Sequence, residues 1–403
     1  MNVRNFRRSL WKTVSTVLGS AFSFLLVIAA PASRADALDQ WITRTSPIPV
    51  KLFDVTYAAG QFVAVGRETN DFGLPRLLVS SNGSNWVRQI SNARDTLRGI
   101  THGKGLFVAV GTPDFDGSLP GVVLSTNGVD WSFFTGGMTN GFSAVAFANG
   151  LFVAVGRGGK VATSLDGTNW VTRDSARTYD LEGIAYGNGV FVATAPATAP
   201  RGGAVQTSPD GTNWFYQPGF VRPGKVIFAR RIFVSAASES FGLTVDPIMI
   251  SPNGTNWVAA QGDTNDFPRG IAYGGVFVAA GTRGLIETSM DGTTWMRRNS
   301  STTAQLYAVA YGNGTFVAVG DVIVQSADVR PHLRFEKCCP QDAAQYHLLL
   351  RGLSNVVYQV DQSPNLKDWF PTVINSSDGT ESEVFRSGVP GPARFFRARL
   401  LGQ

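Results

Sequence analysis

Apolar and polar positions follow short patterns that recur along most of the chain. One is a run that is apolar on both sides of a strand, such as "GLFVAVG" at 105–111 and 150–156, and seven such runs lie between residues 60 and 320. A run of this kind predicts a strand buried on both faces. Ahead of each run, a β-branched residue and an aromatic residue alternate with Gly, Ala or Thr, as in "GIAYGNG" at 183–189. This period of two predicts a strand with a bulky face and a small face.

A heptapeptide follows each of six of these strand pairs. It reads Ser, any residue, Asp or Asn, Gly, two residues and Trp, and it occurs at 80–86, 125–131, 164–170, 208–214, 251–257 and 289–295. Asp-Gly or Asn-Gly between apolar runs predicts a β-hairpin with a type I′ turn, which needs positive φ at both central residues. The Asp or Asn side chain and the Ser hydroxyl can bond to nearby backbone N–H groups. The heptapeptide therefore indicates a structural turn and not a repeated active site.

The repeating unit contains four short strands over about 42 residues, which favours a stack of four-stranded blades in a β-propeller. The distance from a Trp to the next Phe-Val run is 21 residues in several units, and Trp41 lies at the same distance from Phe62. No heptapeptide precedes Trp41, whereas the last unit, ending near residue 328, lacks its Trp strand. We therefore predict an all-β, seven-bladed propeller over residues 38–329, in which the N-terminal strand at 39–44 completes the last blade. Such closure removes the exposed sheet edges.

These residues resemble known propeller families. The Ser-x-Asp-Gly-x-x-Trp phrase resembles the Asp-box, or BNR, repeat of sialidase-type and sortilin-type propellers, although it is one residue shorter. Together with the Phe-Val-Ala-Val-Gly runs, it is similar to propellers of the photosystem II assembly and stability factor type. The resemblance covers residues 38–329, and it implies that the Asp-box has a structural role. It identifies a fold and no reaction.

The repeat stops after residue 329. The segment 330–403 contains alternating stretches separated by turn residues, which predicts a small β-sandwich of the immunoglobulin or fibronectin kind. Within it, "YQVDQSPNLKDW" at 358–369 and "RFFRARL" at 394–400 resemble a C-terminal module that is common on secreted proteins of environmental bacteria. Adhesion, ligand binding and surface display are all open as its role.

The N-terminal residues 1–37 have the pattern of a signal peptide. A basic start is followed by 21 uncharged residues at 13–33, and "ADA" at 35–37 offers cleavage after Ala37. The pair Arg7-Arg8 leaves both general secretion and twin-arginine export open, and the uncharged stretch would span a membrane only if it remained uncleaved. Removing residues 1–37 lowers the net charge from +6 to +2. The high isoelectric point therefore does not indicate a nucleic-acid partner.

Candidate chemistry is sparse. The three His residues are scattered and indicate no metal site, and His102 occupies a position that other repeats give to Tyr or Phe. Cys338 and Cys339 are adjacent, which favours two thiols over a strained mutual disulfide, with an intermolecular link open. We find no phosphate loop, no Gly-x-Ser-x-Gly and no assignable sialidase arginine triad. The sequence therefore predicts a non-catalytic protein that needs no cofactor.

The candidate binding site follows from the strand order. The uniform turns share one rim of the propeller, and variable loops at 67–76, 112–121, 173–183, 195–204 and 240–247 lie on the other, where function tends to reside. On that rim, the position two residues before the β-branched residue of each first strand should point towards the channel. These seven positions hold Phe53, Arg98, Ser143, Glu182, Gly224, Arg269 and Tyr307.

Two Arg, a Glu and two aromatic residues suit a polar or anionic ligand. We expect an exported, monomeric binding protein whose partner is an extracellular or periplasmic protein or polysaccharide. The alternatives are an assembly or scaffold factor for a membrane complex, and a glycan-active hydrolase or lyase with carboxylates at the channel mouth.

Overall fold

The described part of the chain is built almost entirely from antiparallel strands. The structure is a computed structural model, and it describes residues 36–69, 75–91, 96–113, 121–138, 140–195, 204–218, 223–237, 248–262, 266–337, 346–353, 356–377, 381–387 and 395–400. Residues 1–35 of the predicted signal, both Cys residues and most of the predicted variable loops lie outside these ranges. Three single 3₁₀ turns occur, at Ala37–Asp39, Arg157–Gly159 and Thr282–Gly284. In the described ranges, no helix is long and apolar enough to cross a membrane.

Seven four-stranded sheets account for the described residues up to Ser326. We number the sheets in chain order. The first sheet contains β2 (Val50–Ala58), β3 (Gln61–Glu68), β4 (Pro75–Ser80) and β5 (Val87–Gln89), and the second contains β6 (Thr96–Gly103), β7 (Leu106–Thr112), β8 (Val122–Ser125) and β9 (Ser132–Phe134). The third sheet contains β10 (Phe142–Ala148), β11 (Leu151–Gly156), β12 (Val161–Ser164) and β13 (Val171–Arg173), and the fourth contains β14 (Gly183–Gly187), β15 (Val190–Ala195), β16 (Ala204–Ser208) and β17 (Phe215–Gln217). The fifth sheet contains β18 (Pro223–Ala229), β19 (Ile232–Ala237), β20 (Ile248–Ser251) and β21 (Val258–Ala259), and the sixth contains β22 (Pro268–Tyr273), β23 (Phe277–Gly281), β24 (Ile286–Ser289) and β25 (Met296–Arg298).

The seventh sheet joins the two ends of the repeat region. It contains β26 (Leu306–Gly312), β27 (Thr315–Gly320), β28 (Ile323–Ser326) and β1 (Trp41–Arg44). Trp41 pairs with Ser326 and Arg44 with Ile323, which is the pairing that the Trp spacing predicts. Trp41 is only 3% exposed and donates its Nε1 hydrogen bond to the Leu38 carbonyl at 2.9 Å.

The apolar core lies between neighbouring sheets and explains why the Phe-Val runs are apolar on both faces. One cluster, for example, joins Val110 of the second sheet to Phe152 and Trp170 of the third. The aromatic residue of one first strand covers the small residue of the preceding one. A Cβ atom on Gly103 would lie 2.1 Å from the Phe147 ring, and one on Gly312 would lie 2.0 Å from the Tyr57 ring. The Gly312–Tyr57 contact joins the seventh sheet to the first.

The heptapeptide forms a turn, but its geometry differs from the predicted type I′ hairpin. The connection from β12 to β13 contains six residues, and within it Gly167 has a φ of 81° while Asp166 does not have a positive φ. Hydrogen bonds to the Ser and Asp side chains hold this longer connection in place of a two-residue turn. Ser164 Oγ accepts from Gly167 N at 2.8 Å, and Asp166 Oδ1 accepts from the two following backbone N–H groups at 2.8 and 2.9 Å. Trp170 Nε1 donates to the Gly167 carbonyl at 2.7 Å.

Two-residue turns with positive φ at both positions do occur, between the first and second strands. Asn149 and Gly150 have φ values of 50° and 76°, and Asn313 and Gly314 have 46° and 79°. The type I′ prediction was therefore assigned to the wrong turn of the unit. The Ser and Asp side chains satisfy the backbone of the heptapeptide, so it needs positive φ only at its Gly.

The heptapeptide turn also fastens neighbouring sheets. Gln61 Nε2 of the first sheet donates to the Asn127 carbonyl of the second at 2.6 Å. Asn188 Nδ2 of the fourth sheet donates in the same way to the Pro252 carbonyl of the fifth at 2.8 Å. Gln325 Nε2 of the seventh sheet donates to the Asn82 carbonyl of the first at 2.7 Å. The turn therefore has a structural function in addition to connecting two strands.

The C-terminal residues form two three-stranded sheets. One has the order β29 (His332–Lys337), β30 (Tyr346–Arg351), β33 (Glu381–Ser387), and the other has the order β32 (Phe370–Ser377), β31 (Val356–Ser363), β34 (Phe395–Leu400). Leu348 and Leu350 of β30 share a core with Tyr358 and Val360 of β31, so the two sheets bury apolar residues together. The same core contains Trp41.

Candidate functional site

The first strands of the seven sheets contact one another in order. Each of these strands contacts the first strand of the next sheet, and β26 contacts β2, so the contacts form a closed circle among the described residues. The first strands β2, β6 and β26 carry a buried Leu near their start, at Leu52, Leu97 and Leu306. The predicted site positions Phe53, Arg98 and Tyr307 follow these residues immediately.

Strand bulges position most of the predicted site residues. In five first strands one residue has no partner in the second strand, and the register shifts by one residue there. These unpaired residues are Phe53, Arg98, Ser143, Arg269 and Tyr307. A bulge bends the strand and redirects the side chain of the unpaired residue. Glu182 directly precedes β14 and donates its backbone N–H to the Thr194 carbonyl at 2.8 Å. The sequence alone gave no indication of these bulges.

Four of the predicted residues form one continuous cluster. The Arg98 guanidinium lies 5.0 Å from the Phe53 ring centroid, and the Arg269 guanidinium lies 4.9 Å from that of Tyr307. The two rings are 5.6 Å apart and tilted by 55°. Lys51 Nζ approaches the Tyr307 ring at 5.0 Å. All four side chains are half-buried, so each cation is held on an aromatic face and still reaches solvent.

Glu182 belongs to the same electrostatic environment. Burial raises the pKa of Glu182, and the positive charges of Lys225, Arg98 and Arg269 only partly offset this effect. Its side chain is nevertheless solvent-accessible. We call Phe53, Arg98, Glu182, Arg269 and Tyr307 the mouth cluster. It combines two cations, two aromatic rings and one carboxyl group whose charge is costly to bury.

Two of the predicted positions contribute less. Ser143 is half-buried at its bulge, and Gly224 has no side chain to offer. The Gly224 carbonyl accepts from Thr194 Oγ1 at 2.5 Å, which makes its backbone part of the support.

Sequence reasoning missed Lys225 and Asp54. Lys225 Nζ donates to Asp54 Oδ1 at 2.8 Å and to the Phe53 carbonyl at 2.6 Å, although the two residues lie on the fifth and first sheets. Asp54 Oδ2 accepts from Ile100 N at 3.0 Å. The ion pair thus joins the first strands of the first and fifth sheets and supports the backbone of Phe53.

A signal for this pair exists in the sequence. The position after the bulge is Gly or Ala in the other five first strands, and only Asp54 and Lys225 carry long or charged side chains there. The five small residues at this position are Gly99, Ala144, Gly183, Gly270 and Ala308.

The remaining candidate residues have packing roles. His102 lies 4.7 Å from the Phe107 ring, just as Tyr57 lies 4.7 Å from Phe62, so it replaces an aromatic residue in the repeat. Burial lowers the pKa of His102, which favours its neutral form. In the described ranges, no group of three or more His, Cys, Asp or Glu could hold a metal ion.

Comparisons with known proteins support the fold. No family model matches the chain, and no curated protein matches it. A solved structure described as YCF48 bound to D1 peptide is similar with a TM-score of 0.56 and 16% identity, covering 74% of this chain and 99% of that one. YCF48 from Cyanidioschyzon merolae is similar with a TM-score of 0.54 and 16% identity, covering 72% and 98%. The WD40 β-propeller domain of Doa1 is similar with a TM-score of 0.51 and 12% identity, covering 71% and 97%. At these identities the similarity shows a β-propeller fold alone.

Proposed function

We propose that this chain is an exported, non-catalytic propeller that binds an extended segment of a partner protein at the mouth cluster. One structural neighbour is a propeller in complex with a peptide, which makes a peptide a reasonable occupant for a related fold. The proposal is carried by the contacts of Arg98 with Phe53 and of Arg269 with Tyr307, together with the influence of both Arg charges on Glu182.

The chemistry of the mouth cluster suits a peptide in three ways. Arg side chains bind carboxylates through paired N–H groups. The Phe53 and Tyr307 rings already hold these cations in place, so less side-chain entropy is lost when a ligand binds. Glu182 is available to accept from backbone or side-chain N–H groups of the same segment. A peptide with an acidic residue or a free C-terminal carboxylate satisfies all of these groups together.

A displayed random-peptide library selected on the purified exported protein tests this proposal. We expect selected peptides to carry carboxylates and to lose about tenfold or more in affinity when Arg98 and Arg269 are both changed to Ala. A matched double variant, Arg88→Ala with Lys160→Ala, removes two exposed cations elsewhere and should bind as the parent does. If the mouth variant retains full affinity at an unchanged melting temperature, the site lies on another surface.

We further propose that the seven sheets are the blades of one closed propeller and that the two C-terminal sheets form a sandwich. The contacts between β26 and β2 and the pairing of β1 with β28 support closure. Trp41→Ala should then cost roughly 3–5 kcal/mol, as truncations of buried aromatic residues do. An unchanged denaturation midpoint would argue against closure through β1.

The proposed export includes cleavage after Ala37. Leu38 is buried and Asp39 pairs with Arg298 at 3.2 Å, so the mature chain would retain both contacts. Asp36, which is 8% exposed and accepts from Leu38 N at 3.1 Å, would be lost. N-terminal sequencing of the secreted protein should begin at Leu38, and a start at or before Asp36 would move the cleavage site upstream.

Two alternatives have distinct signatures. An assembly factor should co-purify with a membrane complex. A glycan-active enzyme is favoured by the raised pKa of Glu182, which is the property of a general acid. Such an enzyme should release reducing ends from a polysaccharide, and Glu182→Gln should abolish that release.

A further inference from the structure

The outer face of the C-terminal sheet β32–β31–β34 contains a second arrangement of cations. In β34 the exposed and half-buried residues alternate, and Arg397 and Arg399 are on the exposed face with 48% and 55% of their side chains accessible. Arg397 pairs in the register with Asp361, and Arg399 pairs with Gln359. Directly paired residues share a face of the sheet, so these four side chains lie together.

A buried carboxylate aligns the two Arg side chains. Asp361 is 1% exposed, and its Oδ2 accepts from the Nε atoms of both Arg397 and Arg399 at 3.0 Å. Gln359 Nε2 donates to the other oxygen of Asp361 at 2.6 Å. Burial raises the pKa of Asp361, but these bonds and charges lower it overall, so the carboxylate is ionised at neutral pH. The carboxylate neutralises one of the two guanidinium groups, so the three side chains carry a net charge of +1.

Among the described residues, the terminal amino groups of Arg397 and Arg399 make no hydrogen bond. A guanidinium has five N–H donors, and the bond from Nε uses one of them. Within the described ranges, both hydrogen bonds of these guanidinium groups go to Asp361. The Arg397 guanidinium also lies 4.3 Å from the Trp369 ring centroid, which restrains it from the side. Two guanidinium groups held at neighbouring positions form a binding site for one carboxylate or sulfate group.

We propose that this face binds an acidic polysaccharide, with a uronate carboxylate seated on Arg397 and Arg399. Among the described residues, this face of the three-stranded sheet is exposed on both outer strands, so a long polymer can lie across it without entering a pocket. Ile374, which pairs with Gln359, is 60% exposed, and Phe395 is 39% exposed on the same face. These apolar side chains can cover the C–H faces of sugar rings while the Arg pair holds the acid.

An anionic membrane is the competing occupant. Membrane attachment through cations depends on the number of charges, at about 1 kcal/mol each near the surface, and requires no fixed alignment. Here Asp361 neutralises one of the two Arg charges and holds both guanidinium groups in place. This arrangement favours recognition of a single carboxylate group over general attraction to a charged surface. The proposal concerns a surface separate from the mouth cluster and does not depend on the function assigned there.

Calorimetric titration of the purified exported protein with polygalacturonate oligomers tests the proposal. Arg397→Lys with Arg399→Lys keeps the charge but removes the paired donors, and we expect it to weaken binding by about tenfold or more. The control Arg88→Lys with Arg231→Lys changes two exposed Arg residues elsewhere and should bind as the parent does. Fully methyl-esterified polymer, which lacks the acid, should not bind.

Asp361→Ala distinguishes alignment from simple charge attraction. It raises the net charge of the face and removes the oxygen that accepts from both guanidinium groups, so alignment predicts weaker binding and charge attraction predicts tighter binding. If Asp361→Ala does not fold, the Lys double variant on the surface still decides the question. Equal binding of the Lys variant, binding of the ester, or binding of phosphatidylglycerol vesicles in place of the acidic polymer would each overturn the proposal.

Discussion

The turn at 164–170 and the turn at 363–369 share their hydrogen bonds and differ in the surroundings of their Trp. In both turns the third residue, Asp166 or Asn365, accepts from two following backbone N–H groups at 2.8–2.9 Å. In both, the Trp Nε1 donates to the carbonyl three residues earlier. Trp170 is 7% exposed between the second and third sheets, whereas Trp369 is half-buried beneath the Arg397 guanidinium.

This difference shows that the phrase specifies a turn but not the role of its Trp. In the repeat, the preceding sheet covers the Trp and makes it a core residue. In the C-terminal sheet, Trp369 is half-buried and its ring lies against the Arg397 guanidinium. Leu366 replaces the Gly at the fourth position and has a φ of 63°, a conformation that costs a non-Gly residue free energy.

The largest expected effect comes from truncating the two Trp residues. Trp170→Ala should cost roughly 3–5 kcal/mol of unfolding free energy, since it leaves a cavity between two sheets. Trp369→Ala should cost at most about 1 kcal/mol, because it removes one cation–ring contact near the surface. Denaturant unfolding of both variants measures the difference, and similar losses would mean that Trp369 is also a core residue.

Substitutions at the fourth position of each turn should change the free energy of unfolding by smaller amounts, with opposite signs in the two turns. Gly167→Val should destabilise the protein by roughly 1–3 kcal/mol, since the β-branched residue is strained at positive φ. Leu366→Gly should increase stability by up to about 1 kcal/mol, because it relieves that strain. Selective loss of peptide binding by Gly167→Val at unchanged stability would instead assign the turn a direct role in recognition.

The smallest expected effect concerns acid stability. Backbone and side-chain bonds from Asn169 lower the pKa of Asp166. Burial raises the pKa of Asp291, but bonds from Thr293 and Thr294 outweigh it and lower the pKa to about 2. A carboxylate with a lowered folded-state pKa stabilises the fold above its unfolded pKa, and this stabilisation is lost as the pH falls from about 4 to about 2.

Asn occupies the same position in three other copies of the turn, so it supplies a natural control. Changing Asp166, Asp210 and Asp291 together to Asn should leave the melting temperature at pH 7 nearly unchanged, because the amide oxygen accepts the same bonds. The variant should lose less stability than the parent between pH 4 and pH 2. An equal loss in both proteins would mean that other carboxylates control acid unfolding.

Sequence reasoning grouped the residues of the mouth cluster because repeats align equivalent positions, and their role in binding stays a prediction. Phe53, Arg98, Arg269 and Tyr307 were found by counting from one β-branched residue in each unit, and the structure brings them together. Their bulges and their stacking were not predictable, since both depend on the neighbouring first strand. Lys225 was missed because counting selected Gly224, and its contact with Asp54 joins residues 171 positions apart.

The sequence by itself determined the features that short stretches of chain can satisfy alone. These are the strands, the heptapeptide turns with their bonds over three residues, and the repeat spacing that pairs β1 with β28. Only the tertiary structure decided that Lys225 contacts Asp54, that the charges of two Arg side chains act on Glu182, and that Trp369 is half-buried beside Arg397. The physical reason is distance along the chain. Local hydrogen bonds depend on residue type and order, whereas burial and charge contacts depend on which distant segments the packing of the sheets brings together.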